Sequence, residues 1–378
     1  MIYSSVREAA RQPRLIYVSQ KDHPNLIAVS FEFMKRIPAS FCVERALHPP
    51  ANYTLDPSGF FAAVQAPANA SVHAATFERA GDKRLFLETS SGNMATGLAE
   101  ICQQLKIPLL LLVPSEVDET TRKNLVELGA RVEVIETMDQ AQRVERLAEL
   151  KQEQESQGWR VCWVQQYTNP NNRSSYWEVA EFLASELDRI DTLVAPVGTG
   201  GSSCGTAHYL RKAGFPRLKL VGVDACGSVN FDHEFTEFLM GGLGSTVTMP
   251  LVDHTAYDVV HWVDDVTAFA ASINLFNQGL SVGGSSGAAF VAARHEASKS
   301  PDDVVLVFFP DHGRRYADSI RSDSWRRANN IDLSKAKNQP IPVTHPDQSD
   351  PSRPGIDAGW YRIDWRTYQK SKPSVHAR

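Results

Sequence analysis

Short runs of aliphatic residues alternate with amphipathic segments along most of the chain. Ten of these runs are almost continuously apolar, which is typical of strands buried on both faces of a sheet. They predict strands at 15–18, 26–33, 84–88, 108–113, 131–136, 160–164, 192–197, 218–224, 259–263 and 304–309. Helical spacing predicts helices at 118–128, 139–155 and 286–298. This alternation favours an α/β fold, in which mostly parallel, twisted sheets are flanked by helices.

Two stretches interrupt the alternation. Residues 46–83 are rich in Ala, Pro and Asn and predict an irregular insertion. Residues 329–378 form a polar, Pro-rich tail that also contains an aromatic group at 360, 361 and 365. Such a tail either is disordered or docks on the protein or on a partner through its aromatic side chains. The sequence leaves both interpretations open.

Composition narrows the classes of partner. The 378-residue chain carries 39 basic and 44 acidic side chains, a net charge of −5. This mild acidity argues against nucleic acid, because nucleic-acid-binding proteins usually carry a basic face. The first residues show no signal-peptide pattern, and the longest aliphatic run, at 107–113, is too short to cross a bilayer. We therefore expect a cytoplasmic protein with no membrane partner. The five cysteines form no Cys-x-x-Cys pair, so no metal site is predicted.

A glycine-rich segment at 197–205 directly follows the strand predicted at 192–197. Its glycines let a ligand approach the backbone closely, and the next helix would offer N–H groups and its positive end to a phosphate. The spacing does not fit a dinucleotide fingerprint, because the third glycine would fall at Ser203. It does not fit a Walker loop either, since no lysine follows. Close packing of a helix on a strand gives the same composition, so this segment alone is a weak signal.

Three further segments, at 88–97, 283–289 and 309–316, combine glycines with hydroxyl or charged side chains next to predicted strands or helices. In the first, Ser90 or Ser91 would either help to bind a carboxylate or simply cap the helix. Ligands of parallel α/β proteins collect at the carboxyl ends of the strands. The four segments together therefore predict one shared small-molecule site.

These segments also carry a resemblance to a known family. They read SSGN at 90–93, GTGG at 198–201, GGSSGAA at 283–289 and PDHGRRY at 310–316. In order and spacing, roughly residues 10–325 resemble the cysteine synthase branch of the fold type II (tryptophan-synthase-β-like) pyridoxal-phosphate enzymes. A further segment, QQYTNPN at 165–171, resembles the Q-F-x-N-P-x-N segment of that family.

Within this branch, the chain is similar to siderophore-type enzymes that join O-phosphoserine and glutamate into a precursor of 2,3-diaminopropionate. The residues that suggest this lie at 223–229, 261–265 and 322–325. The resemblance implies pyridoxal phosphate as cofactor and a serine- or cysteine-derived amino acid as substrate. It also implies β-replacement or β-elimination as the reaction class.

The resemblance implies a two-domain fold and a homodimer. Residues 1–33 and 160–328 would form the larger, cofactor-binding domain. Residues 34–159, with the insertion at 46–83, would form the smaller domain that carries the substrate loop.

The family's motifs assign roles to matching positions of this chain. The cofactor phosphate would be held by backbone N–H groups of Gly198, Thr199, Gly200, Gly201 and Ser202. Asn93 would hydrogen-bond the 3′-oxygen of the pyridine ring, and Ser285 would face the pyridine nitrogen and leave it unprotonated. The substrate carboxylate would be received by Ser90, Ser91 and Gln166.

One family residue has no counterpart. Relatives carry a lysine in a loop resembling P-x-G-S-[FV]-K-[DE]-R, and its amine forms the Schiff base with the cofactor. This chain has PASFCVER at 38–45, which puts Cys42 or Val43 at the lysine position. No lysine occurs between Lys35 and Lys83.

Three explanations of the missing lysine remain open. Lys35 could reach the pocket from an altered loop. The protein could bind pyridoxal phosphate, or a preformed cofactor–amino-acid aldimine, without ordinary turnover, as a regulatory or partner subunit. Alternatively, Cys42 could act as a nucleophile, although no His or acid is visibly placed to lower the pKa of its thiol.

Overall fold

The computed structural model of the protein describes residues 14–17, 25–30, 39, 83–90, 92–115, 117, 119–136 and 139–372. The strands are β1 Arg14–Tyr17, β2 Leu26–Ser30, β3 Arg84–Thr89, β4 Leu109–Pro114, β5 Arg131–Ile135, β6 Arg160–Trp163, β7 Thr192–Pro196, β8 Lys219–Ala225, β9 Val259–Val263, β10 Val305–Phe309, β11 Ile341–Val343 and β12 Tyr361–Asp364. The helices are α1 Asn93–Leu105, α2 Glu119–Glu127, α3 Gln140–Ser156, α4 Pro170–Ser174, α5 Trp177–Glu186, α6 Gly201–Lys212, α7 Asp265–Asn277, α8 Gly284–Lys299, α9 Asp323–Ala328 and α10 Trp365–Ser371. Each of the ten predicted strands is present, and the α/β fold class is confirmed.

The smaller unit contains a four-stranded parallel sheet in the order β5-β4-β3-β6. Strand β4 is apolar throughout and fully buried, as expected of a central strand covered on both faces. Alternate residues of β3 serve two apolar clusters. Phe86 belongs to a cluster with residues of α1, whereas Leu85 and Leu87 belong to a cluster with Leu147 and Leu150 of α3. The sheet therefore has a helix-covered core on each face.

The larger unit contains an eight-stranded sheet in the order β1-β2-β10-β7-β8-β9-β12-β11. Its five central strands, β2, β10, β7, β8 and β9, are parallel. Strand β10 is buried at every position and pairs with β2 and β7 on either side. The glycine-rich segment at 198–201 follows β7, and the segment at 310–316 follows β10. Neighbouring strands of this sheet therefore carry two of the predicted ligand segments.

The domain boundary predicted at residue 160 differs from the boundary in the structure. Strand β6 pairs with β3 in the smaller sheet, and the compact units divide between Tyr176 and Trp177. The sequence pattern identifies β6 as a strand, but it does not identify the partner of that strand. The insertion at 46–83 lies outside the described residues, apart from Lys83.

The C-terminal tail is folded over residues 329–372. Strand β12 pairs antiparallel with β9, and β11 pairs parallel with β12, so the tail adds two strands to the edge of the larger sheet. Trp360 and Trp365 are buried. The structure thus answers the question that the sequence leaves open: the described tail docks on the protein through its aromatic residues.

No helix in the described ranges is long and apolar enough to cross a membrane.

Candidate functional site

The glycine turn between β7 and α6 requires glycine for geometric reasons. Gly200 has a φ of +80°, in the left-handed region. A Cβ atom there would lie 2.6 Å from the carbonyl oxygen of Leu251. A Cβ on Gly198 would lie 3.1 Å from the carbonyl oxygen of Gly242. The turn is therefore fixed by close backbone packing, and a side chain at Gly200 is excluded twice, by conformation and by space.

This turn fits a phosphate. Gly200 is the N-cap of the twelve-residue helix α6 and supplies no side-chain acceptor to the N–H groups of the first helical turn. The Gly201 N–H donates to Thr199 Oγ1 at 3.4 Å. Orphan N–H groups at a helix start, together with the helix dipole, favour an anion. Thr199 and Ser202, which flank the glycine pair, are partly exposed. The residues predicted to bind the phosphate thus lie in one turn, and this turn offers the N–H donors that a phosphate needs.

Ser285 lies in the first turn of α8 beside a buried carboxylate. The side chain of Asp311 accepts hydrogen bonds from Ser286 Oγ at 2.9 Å, from the Gly283 backbone N at 3.2 Å and from Ser285 Oγ at 3.4 Å. The Tyr316 hydroxyl also donates to it. Sequence reasoning missed Asp311, although an acid directly after an apolar strand was a usable signal. This buried carboxyl group is one hydrogen bond away from the residue predicted to face the pyridine nitrogen.

Gly283 allows this carboxylate to approach the backbone. A Cβ atom on Gly283 would lie 2.1 Å from Asp311 Oδ2 and 2.2 Å from the ring of Tyr316. Neither neighbour has room to give way, because Asp311 is buried and is held by four donors. The first glycine of GGSSGAA is therefore required by the Asp311 hydrogen bonds.

In the smaller unit, Ser90 lies between β3 and α1. Its hydroxyl oxygen accepts hydrogen bonds from the backbone N–H groups of Gly92 at 3.4 Å and Ala95 at 3.3 Å. The capping role that the sequence allowed for Ser90 is thus present, and the hydroxyl hydrogen of Ser90 remains able to donate. Asn93 is the first residue of α1 and is half-buried.

Gln166 is held against the end of β3. Its backbone N donates to Glu88 Oε2 at 2.9 Å, and its side-chain Nε2 donates to the carbonyl oxygen of Thr89 at 2.5 Å. The preceding residue, Gln165, has a φ of +56°. Because Thr89 immediately precedes Ser90, two of the predicted carboxylate-binding residues lie next to each other within one unit.

Glu88 is a buried carboxyl group that sequence reasoning missed as a contributor to this region. It accepts from the backbone N–H groups of Thr89 at 2.8 Å and Gln166 at 2.9 Å. Burial nevertheless raises its pKa to about 7, against a usual value of 4.5. The carboxyl that anchors the Gln166 turn therefore gains its charge near neutral pH.

The raised pKa of Glu88 predicts a pH dependence of stability. Above its unfolded pKa of 4.5, the unfolded chain releases the proton while the folded chain keeps it until about pH 7. The wild type should therefore lose stability relative to Glu88→Gln as pH rises from about 4.5 to 7, by about 3 kcal/mol. Urea denaturation of both proteins between pH 4.5 and 8 measures this difference.

The matched control for that prediction is Glu127→Gln, at an exposed position on α2. Its stability relative to wild type should stay constant over the same pH range. A constant difference for Glu88→Gln as well would show that the pKa of Glu88 is the same in the folded and unfolded protein, which would contradict the prediction.

The segment at the missing lysine is outside the described residues, with one exception. Lys35, Cys42 and Val43 are not described, and neither is Ser91. Ala39, three residues before Cys42, is buried and belongs to the same apolar cluster as Met94 and Ala95 of α1. The start of this loop is thus packed into the unit that contains Asn93.

Among the described residues, no group of three or more His, Cys, Asp or Glu side chains is arranged to hold a metal ion.

The sequence profile of the family described as "Pyridoxal-phosphate dependent enzyme" matches residues 67–311. The N-(2-amino-2-carboxyethyl)-L-glutamate synthase of Cupriavidus metallidurans is 35% identical over 251 residues, which cover 63% of this chain and 72% of that protein. The enzyme of the same name from Ralstonia nicotianae is 32% identical over 248 residues, with coverage of 63% and 72%.

Solved structures show the same fold. The O-acetylserine dependent cystathionine β-synthase from Helicobacter pylori aligns with a TM-score of 0.66 and 24% identity, over 82% of this chain and 96% of that one. The cysteine synthase from Entamoeba histolytica aligns with a TM-score of 0.66 and 16% identity, over 88% of this chain and 96% of that one. At these identities the likeness supports the fold.

Proposed function

Because this chain belongs to the pyridoxal-phosphate dependent enzyme family, we propose that it binds pyridoxal phosphate and acts on a serine-derived amino acid by β-replacement or β-elimination. The observation that carries this proposal is the phosphate-compatible turn at 198–202, which lies inside the family match at 67–311. Bound pyridoxal phosphate supplies an electron sink for the negative charge that develops at the substrate Cα.

The substrate class is supported by the relatives' names. Two curated relatives at 35% and 32% identity are N-(2-amino-2-carboxyethyl)-L-glutamate synthases. That product name describes a 2-amino-2-carboxyethyl group, which has the carbon skeleton of serine, attached to glutamate. We therefore propose an activated serine as one substrate and an amino-acid amine as the incoming nucleophile.

Each unit supplies a set of binding groups in this proposal. In the larger unit, the backbone N–H groups of Gly198 to Ser202 would hold the cofactor phosphate, and Ser285 would face the pyridine nitrogen. In the smaller unit, Asn93 would donate to the 3′-oxygen, and Ser90, Ser91 and Gln166 would bind the substrate carboxylate. Positive helix ends and uncharged donors suit both anions.

The chain would hold its cofactor without a covalent link. No lysine occupies position 42 or 43, and the retained phosphate turn provides non-covalent binding energy. A second candidate function follows from the same loop: a lysine-less ligand-binding subunit that works beside an active partner. The PASFCVER sequence at 38–45 favours this second candidate, whereas a reactive amine at Lys35 would favour the first.

Turnover with O-phosphoserine and glutamate separates these two candidates. Product formation that requires added pyridoxal phosphate supports the enzyme. Saturable binding of the cofactor with no product from any activated serine and amine supports the lysine-less subunit.

The geometry of the glycine turn predicts that Gly200→Ala weakens cofactor binding. A Cβ atom at position 200 would meet the Leu251 backbone at 2.6 Å, so the turn must shift. We expect an affinity for pyridoxal phosphate at least about 10-fold lower, because a changed N–H geometry loses more than one charge-assisted hydrogen bond. Titration of the cofactor followed by absorbance measures the effect.

Gly158→Ala is the matched control for this variant. Gly158 also has a positive φ, +84°, but no atom lies within 4 Å of its would-be Cβ. It should lose about 1 to 2 kcal/mol of stability from backbone conformation and keep its cofactor affinity. If wild type, Gly200→Ala and Gly158→Ala bound pyridoxal phosphate with equal affinity, the cofactor phosphate would not bind at this turn.

We also propose a cytoplasmic homodimer, in line with the family resemblance. Light scattering on the purified full chain tests the dimer directly, since a monomer at micromolar concentration would contradict it.

A further inference from the structure

Tyr257 connects directly to the helix that begins at the phosphate turn. Its hydroxyl lies 2.7 Å from Ser203 Oγ and accepts from Cys204 Sγ at 3.3 Å. Both partners belong to the first turn of α6, immediately after Gly201 and Ser202. The Tyr257 side chain is buried, so water does not compete for these bonds. The phenol therefore holds the first turn of α6 from inside the protein.

An aromatic row joins Tyr257 to the C-terminal segment, defined here as residues 340–372. Phe231 packs edge-to-face on Tyr257, with ring centroids 5.0 Å apart. Trp365 also packs edge-to-face with Phe231, with ring centroids 5.1 Å apart. Pairs of this geometry add about 0.5 to 1.5 kcal/mol beyond their buried area. Two ring contacts and one hydrogen bond thus connect a side chain of the C-terminal segment to α6.

The neighbour of Phe231 contacts the turn itself. Asn230 is buried, and its Nδ2 donates to the carbonyl oxygen of Gly198 at 3.2 Å. The backbone N of Gly244 also donates, to the carbonyl oxygen of Val197 at 3.0 Å. The backbone that leads into the phosphate turn is therefore fixed by the chain that follows β8.

The C-terminal segment contacts four consecutive residues of this same stretch. Besides the Phe231–Trp365 pair, Asp232 accepts from the Tyr368 hydroxyl at 3.0 Å, and His233 Nε2 bonds Ser349 Oγ at 3.0 Å. The backbone N of Glu234 donates to Asp350 at 2.9 Å. A stretch held at every residue has little freedom to shift. The tail therefore braces the stretch that carries Phe231 and Asn230.

We propose that Tyr257 is a positioning residue for the cofactor phosphate, and that the C-terminal segment supports it through Phe231. This inference rests on the proposed function. It links Tyr257, which lies inside the family match at 67–311, to a C-terminal segment that lies outside it. Anion binding by backbone N–H groups depends on their orientation. The Tyr257 hydroxyl keeps the first turn of α6 in one orientation by bonding two of its side chains.

Tyr257→Phe tests the proposal, because it removes only the hydroxyl. Affinity for pyridoxal phosphate should fall about 3- to 10-fold, the equivalent of one lost hydrogen bond. Affinity for pyridoxal, which lacks the phosphate, should change by less than about 2-fold. If Tyr257 had a merely structural role, Tyr257→Phe would weaken the binding of pyridoxal phosphate and of pyridoxal equally, and that result would overturn the proposal.

Tyr361→Phe is the matched control. Its hydroxyl donates to the Asp357 carbonyl at 2.8 Å, a bond inside the C-terminal segment. This variant should bind pyridoxal phosphate as tightly as wild type does. Unchanged affinity in Tyr257→Phe, with wild-type binding intact, would also overturn the inference. Absence of binding in the wild type would instead overturn the proposed function, so the two failures are distinguishable.

Discussion

Replacing Trp365 with alanine is expected to lower the free energy of unfolding of the larger unit by about 3 to 5 kcal/mol, the range for a fully buried Trp. The side chain has 0% exposure. Its ring lies 5.1 Å from Phe231 and from Tyr368, and 5.6 Å from His254. Its removal leaves a cavity between the C-terminal segment and the body. Urea denaturation followed by tryptophan fluorescence measures the loss.

Phe235→Ala provides the comparison for this prediction. Phe235 belongs to the same stretch but is 46% exposed, so its removal leaves no closed cavity. It should cost less than about 1 kcal/mol. A loss below 1 kcal/mol for Trp365→Ala would mean that the C-terminal segment contributes little to the stability of the folded body.

Cys42→Lys is expected to convert a non-covalently held cofactor into a covalently attached one. The family loop places its lysine where Cys42 stands when the two sequences are aligned from Pro-Ala-Ser-Phe. Under the proposed function, an amine there would condense with the aldehyde of the cofactor, as the family lysine does. The predicted result is a new visible absorbance band and, after borohydride reduction, a peptide that carries the cofactor at residue 42.

Two further variants test whether the cofactor attaches specifically at position 42. Val43→Lys tests the alternative alignment from Glu44-Arg45, and a band there but not in Cys42→Lys would move the lysine position by one residue. Cys42→Ala should give no band. It should also keep any turnover that the wild type shows, because the proposal gives the thiol no chemical role. A loss of turnover in Cys42→Ala would revive the cysteine-nucleophile hypothesis.

The sequence was most informative where burial is continuous. All ten predicted strands are present. Runs such as Leu109–Pro114 and Val305–Phe309 are apolar and buried at every position, whereas Arg131–Ile135 is only partly buried. The two strands that the sequence did not predict, β11 and β12, span only three and four residues. They carry proline or charged side chains. Strand β12 gains its pairing from β9, which is distant in sequence, and β11 pairs with β12. Such strands are determined by tertiary contacts rather than by local pattern.

In the candidate site, too, local features could be predicted from the sequence and long-range contacts could not. The glycine turn could be predicted from composition, since Gly200 requires a positive φ. The buried carboxyls could not be assigned partners, because Glu88 bonds Gln166, which lies 78 residues away. The contact between Tyr257 and Ser203 spans 54 residues and leaves no local signal either. Sequence reasoning predicts the segments that would touch the ligand, and this remains a prediction, whereas the groups that support these segments emerge only from the fold.

Non-covalent binding of the cofactor is tested most directly by reduction of the wild-type protein with borohydride in the presence of pyridoxal phosphate, followed by peptide mapping. We predict saturable cofactor binding that inorganic phosphate competes away, with no stoichiometric adduct on any lysine. A stoichiometric adduct on Lys35 would contradict non-covalent binding and identify Lys35 as the amine that replaces the family lysine. Absence of cofactor binding would contradict the central claim itself.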